Sequence, residues 1–172
     1  MTERTVIAAI GPDRPGLVEE VSQFVLDRGG SIEESRMANL RGQFTIMMLV
    51  AGPAETVARL TADLAALGDA TGLQVRSTEA AAGAAETAAA QHRLTARALD
   101  QVGLVHEVAN VLRRGGANIE SMDTTLEAAP ETGAPMFAMD IILSLPASAS
   151  AGELRAELGR VCDQLNIDWH LE

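Results

Sequence analysis

Tyrosine is absent from this sequence, and only one tryptophan and three phenylalanines occur. Any core must therefore be aliphatic, built from Leu, Val, Ile, Met and Ala. Cysteine occurs once, at Cys162, so no internal disulfide can form. The N-terminus, MTERTVIAAIG, holds too short an apolar run for a secretory signal, and a cytoplasmic setting is expected. No uninterrupted 18-residue apolar segment appears, which excludes a membrane-spanning helix. Basic residues are outnumbered, 13 against 24 acids, for a net charge of −11. Without a basic cluster there is little counterion release to be had from a phosphate backbone, so direct nucleic-acid binding is not expected. Also missing are a P-loop, a G-x-G-x-x-G phrase and a nucleophile elbow. His92, His106 and His170 fall in three separate elements without metal-ligand spacing, so no metal or cofactor is expected. His106 reads as an exposed helical position and Cys162 as a packing residue.

What is present is a repeat. The chain of 172 residues is 47% apolar, long enough for one ordinary domain or two small ones. Residues 13–33, DRPGLVEEVSQFVLDRGGSIE, align without a gap on residues 100–120, DQVGLVHEVANVLRRGGANIE, at an offset of 87. Beyond these stretches Phe44 matches Phe137 and Pro53 matches Pro146, at an offset of 93. The six extra residues fall in APETGAP, 129–135, read as a longer hairpin loop. Residues 1–76 and 92–172 are thus two copies, joined by an Ala-rich linker over 77–91. The linker is read as plain, although alanine leaves room for a short helical spacer.

Each copy shows the same periodicities. TVIAAI, 5–10, is a β-branched run ending in Gly-Pro. Leu17, Val18, Val21, Phe24 and Val25 recur at helical spacing, and Gly29-Gly30 closes that helix. Residues 31–39 and 44–50 read as a hairpin turning at Arg41-Gly42. Val57, Leu60, Leu64 and Leu67 mark a second helix, and Leu73-Gln74-Val75 a fourth strand. In the second copy the strands fall at 92–98, near 118–127 and 136–145, and at 167–171. Its helices carry Leu104, Val105, Val108, Val111 and Leu112, then Leu154, Leu158, Val161 and Leu165. The fold class is α+β: two tandem ferredoxin-like βαββαβ domains, antiparallel sheets with helices on one face.

The phrase Asp13-Arg14-Pro15-Gly16-Leu17-Val18 after the first strand, with Gly29 to Arg36 after the first helix, resembles the ACT domain. The second copy carries Gly103-Leu104-Val105 and Gly116 to Glu120. Two free-standing copies resemble the glycine cleavage system transcriptional repressor family. That resemblance implies a regulator acting through contacts with a DNA-binding protein, in control of glycine or one-carbon genes. The ACT module of formyltetrahydrofolate deformylases has a similar D-R-x-G-L-V phrase, but no catalytic domain follows the repeats here. An enzyme is not expected.

The bend after the first strand suits an anion. Pro15 fixes φ, Gly16 permits close approach, and the first-turn N–H groups of a helix carry partial positive charge. A ligand carboxylate fits there. Asp13, or Asp100 in the second copy, caps those N–H groups itself or receives an α-ammonium. In amino-acid-binding ACT domains the contacts come from the residue three before this glycine and from a polar residue opening the second strand. The resemblance therefore implies Asp13, Gly16 and Ser31, with Asp100, Gly103 and Asn118, as ligand-binding residues. Serine-binding members usually carry Asn at the first of these positions, where this chain has Asp.

One strand asks for a partner. In FTIMMLV, 44–50, Phe44, Ile46, Met48 and Val50 share one face, while Met47 and Leu49 lie on the other with Thr45. Met47 and Leu49 are thus interface candidates, and a homo-oligomer is expected; Asp140 stands at the position of Met47 in the second copy. The functional expectation is a non-enzymatic regulator that senses a small amino acid through paired ACT domains and acts by protein contacts. The alternative is an adaptor that keeps the fold and binds no ligand.

Overall fold

The computed structural model of the chain describes residues 2–80, 89–130 and 132–172. It divides into two units, Met1–Ala84 and Ala85–Glu172. The first is β1 (Thr2–Pro12), α1 (Leu17–Asp27), β2 (Ser31–Leu40), β3 (Gln43–Pro53), α2 (Ala54–Ala62), α3 (Leu64–Thr71) and β4 (Gln74–Glu79). The second is β5 (Ala90–Leu99), α4 (Leu104–Arg114), β6 (Asn118–Ala128), β7 (Pro135–Leu145), α5 (Ala151–Leu165) and β8 (Asp168–Leu171). Each unit forms one four-stranded antiparallel sheet, ordered β2-β3-β1-β4 and β6-β7-β5-β8. This is the expected pair of ferredoxin-like βαββαβ units. β4 runs on to Glu79 and β5 starts at Ala90, so both take up ends of the Ala-rich stretch. The middle of the linker, 81–88, lies outside the described residues, so neither the plain linker nor a short helical spacer is tested there.

Pairing reproduces the duplication residue by residue. Ile7 lies opposite Met48 and Gly11 opposite Phe44; Leu94 lies opposite Ile141 and Ala98 opposite Phe137. Both offsets, 87 and 93, are satisfied at once. A β-bulge falls at Glu33 in β2 and again at Glu120 in β6, the same position in each copy. Arg41 and Gly42, both at positive φ (51° and 80°), form the two-residue turn of a type I′ hairpin.

Aliphatic residues fill each core as the periodicity requires. In the first unit Leu17, Val21 and Val25 of α1 meet Ile7, Phe44, Met48 and Val50 of the sheet. In the second, Leu104, Val108 and Leu112 meet Leu94, Ile141 and Leu143, with Cys162 buried among them. α1 and α4 both end in Schellman motifs: Gly30 N–H donates to Val25 O (3.0 Å) and Ala117 N–H to Leu112 O (2.9 Å). Gly29 (φ 77°) and Gly116 (φ 75°) supply the left-handed residue.

The second helix of the first copy differs from expectation. It breaks at Asp63 into α2 and α3, whereas α5 runs unbroken for 15 residues. Asp63 accepts a hydrogen bond from Arg28 Nε (2.9 Å), and the Arg28 guanidinium lies 3.6 Å over the Phe24 ring. The break is held by a long-range contact to the end of α1, and Gly115 stands at the position of Arg28 in the second copy.

Candidate functional site

Asp13 and Asp100 follow the first strand of each copy, in a bend that leads into α1 or α4. The residue before each helix is glycine in the left-handed region, Gly16 at φ 93° and Gly103 at φ 96°. A side chain there is strained, which explains why this glycine stands in both copies. Neither helix is capped by a side chain. The first-turn N–H groups therefore keep the partial positive charge that an anion seeks. Asp13, weighed above as a cap, instead accepts a hydrogen bond from Asn39 Nδ2 (2.5 Å), while Asn39 Oδ1 accepts from Gly42 N–H (3.1 Å). The backbone of both acids is tethered alike: Asp13 N–H donates to Gly42 O and Asp100 N–H to Pro135 O, each at 2.9 Å.

Ser31 and Asn118 open β2 and β6 at the other end of the sheet. Ser31 pairs with Ala51 and Ala51 with Arg4, while the bend follows Pro12. Eight residues of strand separate the two ends, about 26 Å. In the second copy Asn118 pairs with Ser144 and Ser144 with Gln91, eight residues before Leu99. Asp13 and Ser31, or Asp100 and Asn118, are thus not brought together within one copy. Asn118 Nδ2 donates to Glu120 Oε1 (2.7 Å), which also accepts from Ser144 Oγ (2.5 Å). The Ser144 and then the Asn118 hydrogen bond hold the Glu120 carboxyl below its ordinary range.

Residues 3–78 match the family described as ACT domain. The Glycine cleavage system transcriptional repressor of Escherichia coli (strain K12) is 26% identical over 161 residues, spanning 94% of this chain and 85% of the relative. The repressor of Shigella flexneri matches to the same extent. The crystal structure of an unknown protein from Galdieria sulphuraria superposes over 100% of this chain and 98% of its own, at TM-score 0.82 and 27% identity. A crystal structure provisionally named as a glycine cleavage system transcriptional repressor shares the fold at TM-score 0.75 and 23% identity, over 100% and 97% of the two chains. The first copy matches the ACT domain, and the chain as a whole resembles the glycine cleavage system transcriptional repressor.

The two copies keep the bend differently. In the first, Arg14 forms two hydrogen bonds to Glu20 (2.5 and 2.8 Å), and this bonding draws the Glu20 carboxyl below its ordinary range. In the second, Gln101 and Val102 replace Arg14 and Pro15. Gln101 Nε2 donates to Leu165 O at the end of α5 (2.9 Å), and Val102 is fully exposed. Leu126 stands where Asn39 stood and has no donor for Asp100. The Asp100 carboxylate accepts no hydrogen bond among the described residues, so the second bend is the more open of the two.

Cavities lie elsewhere. One of about 820 Å³ lies between Arg4 and Thr5 of β1, Val57 and Thr61 of α2, and Ser77 and Glu79 of β4. Another, about 290 Å³, lies on the open face of the second sheet beside Arg97, Asp123, Glu127 and Asp140. None of the six anticipated ligand residues lines either. Among the described residues no helix is long and apolar enough to cross a membrane, and no group of three His, Cys, Asp or Glu could hold a metal. The bulge acids Glu33 and Glu120, Asn39 over Asp13, and the Arg93–Asp140 ion pair were missed as site neighbours. Only the repeat of Ile-Glu at 32–33 and 119–120 signalled any of them.

Proposed function

We propose that the chain is a non-enzymatic, cytoplasmic regulator that senses a small amino acid through its ACT domains and acts by contact with a partner protein. The similarity to a transcriptional repressor supports the regulatory role, and the charge of −11 favours protein contact over direct nucleic-acid contact. The observation that carries ligand binding is the second bend: an uncapped helix N-terminus beside an Asp100 carboxylate that has no donor among the described residues. A ligand carboxylate would meet the N–H groups of Leu104–His106, and its ammonium would meet Asp100. Because Asn118 lies some 26 Å along the sheet, a ligand at this bend that also uses an Asn118-type contact draws it from outside the second copy. Gly16 and Asp13 would form the matching contacts at the first bend, where the Asn39 bond already occupies the acid, and Ser31 stands where Asn118 does at the far end of the first sheet.

A thermal-shift screen against the twenty amino acids tests this. One amino acid is expected to raise the midpoint, and Asp100→Ala with Asn118→Ala is expected to abolish the rise. A response that survives the double substitution moves the site elsewhere. A flat response to all twenty favours the second reading, an ACT-fold adaptor without ligand, which the existing Asp13–Asn39 bond supports.

A further inference from the structure

The cavity of about 820 Å³ in the first copy lies at a corner that the second copy closes with its own side chains. Leu60 to Ser77 align without a gap on Leu154 to Leu171, at an offset of 94. Gly72 and Asn166, at φ 76° and 52°, end the helix at matching positions in the left-handed region. The strand register agrees, with Ser77 opposite Ile7 and Leu171 opposite Leu94. One hydrogen bond recurs as well: Thr5 Oγ1 donates to Thr78 O (3.1 Å) and His92 Nδ1 to Glu172 O (2.9 Å). On this shared frame Thr61 and Ser77, which line the cavity, stand where the second copy has Arg155 and Leu171. Arg155 Nη2 donates to Leu171 O (2.7 Å), and the Leu171 side chain is buried. The first copy keeps the corner and lacks the cation.

The acceptors for a cation remain. β4 is an edge strand, and Ala80 N–H donates to Arg4 O (3.4 Å). Alternation along β4 therefore turns the Ser77 carbonyl away from β1, as the Leu171 carbonyl is turned toward Arg155. Glu3 and Glu79 also line the cavity, on the helix-covered side of the sheet with Thr5 and Ser77. Neither acid forms an ion pair among the described residues. Ala90 stands at the position of Glu3, so the copy that supplies its own cation lacks that acid. Arg4 does not fill the role: it alternates to the other side of β1, and Glu33 accepts two hydrogen bonds from it (2.7 and 3.1 Å).

We propose that this cavity binds a guanidinium group on a short apolar stem, in the place that Arg155 fills in the second copy. The planar group donates to Ser77 O and to the carboxylates of Glu3 and Glu79, and the stem lies along Val57 and Thr61 of α2. The volume is within the range of small-molecule sites, about 300–1,000 Å³. A free guanidino compound and the arginine side chain of a partner protein offer the same chemistry. The site is separate from the bends and does not rest on amino-acid binding there.

Isothermal titration of the intact chain with agmatine and with N-acetyl-arginine methylamide is the test. Neither probe has a carboxylate for a helix N-terminus, so the outcome is independent of the bends. A dissociation constant of about 0.1–1 mM is expected at low salt. N-acetyl-citrulline methylamide, of the same shape without the charge, should bind about tenfold more weakly. Tighter binding of agmatine identifies a free small molecule as the source, and tighter binding of the arginine derivative a partner's side chain; both support the site. Thr61→Arg supplies the missing guanidinium from the chain itself and should abolish binding. Thr61 is exposed and arginine favours a helix, so this variant should fold, which circular dichroism checks. Glu79→Gln should weaken binding about three- to tenfold. Guanidinium probes that bind no better than the citrulline derivative overturn the proposal. So does a folded Thr61→Arg or Glu79→Gln variant that binds them like the parent.

Discussion

Gly30 follows the left-handed Gly29 at the end of α1, and its own φ lies outside the positive region, so alanine is conformationally permitted there. Space is what it lacks. A methyl added at Gly30 would lie 2.9 Å from Val25 Cγ1, 3.0 Å from Leu60 Cδ1 and 3.1 Å from Val50 Cγ1. Those side chains are 1%, 0% and 0% exposed and come from α1, α2 and β3, so each is held by a different element. Carbon contacts settle near 3.5–4.0 Å, so three walls must retreat by roughly 0.5–1 Å together. Overpacking of this kind costs about 1–3 kcal/mol. Replacing glycine also restricts the unfolded chain, which returns about 0.4–1 kcal/mol. With three walls displaced at once, the middle of both ranges applies, and the net expectation for Gly30→Ala is a loss of about 1–2 kcal/mol.

For a unit of this size each kcal/mol moves the midpoint by about 4–8 °C, so the first copy should melt roughly 5–15 °C lower. Calorimetry reads the whole chain. Emission from Trp169, the only tryptophan, follows the second copy separately. The matching position there is Ala117, which already carries the methyl, and Ala117→Gly should not rescue Gly30→Ala. A Gly30→Ala variant within about 0.3 kcal/mol of the parent would refute the reasoning: the corner between α1, α2 and β3 would then have slack that the geometry denies.

Two further outcomes follow from the charges. Burial pushes the Cys162 thiol up to about 11, with a smaller contribution from Asp163, so the native protein should resist thiol reagents at pH 8 and react at the ordinary rate once denatured. Its unfolded thiol ionises first, so this group's contribution to stability is complete below about 8.5 and declines as pH rises from there toward the folded value. Asp140 is held below its ordinary value chiefly by the Arg93 hydrogen bond, so NMR titration should find its carboxyl still ionised where free aspartates protonate, and Arg93→Gln should return it to the normal range. The associated stability is present above the unfolded pKa and is lost as pH falls through the depressed one; an unshifted Asp140 in the parent would contradict the ion pair.

The fold could be read because every signal for it is local or repeated. Alternation and helical spacing marked the elements, Arg41-Gly42 marked a turn that needs two positive φ values, and the duplicated register gave each assignment a second, independent instance. The break at Asp63 could not be read. Leu60, Leu64 and Leu67 continue a helical period through it, and what holds the kink is Arg28, 35 residues away. The site was less accessible still, because the question was not which residues but which end of a sheet they occupy. Asp13 and Ser31 are 18 positions apart in sequence, and a helix carries the chain back along the strand between them. Whether Asp13 is free depends on Asn39, a neighbour only once β2 and β3 are in register. The alignment of the copies already contained the Asn39-to-Leu126 exchange, yet it means nothing without that register. With it, one substitution on a neighbouring strand distinguishes an acid engaged by its own hairpin from an acid that accepts no hydrogen bond among the described residues. The two copies therefore differ in what surrounds the bend, while the backbone that enters each helix is the same.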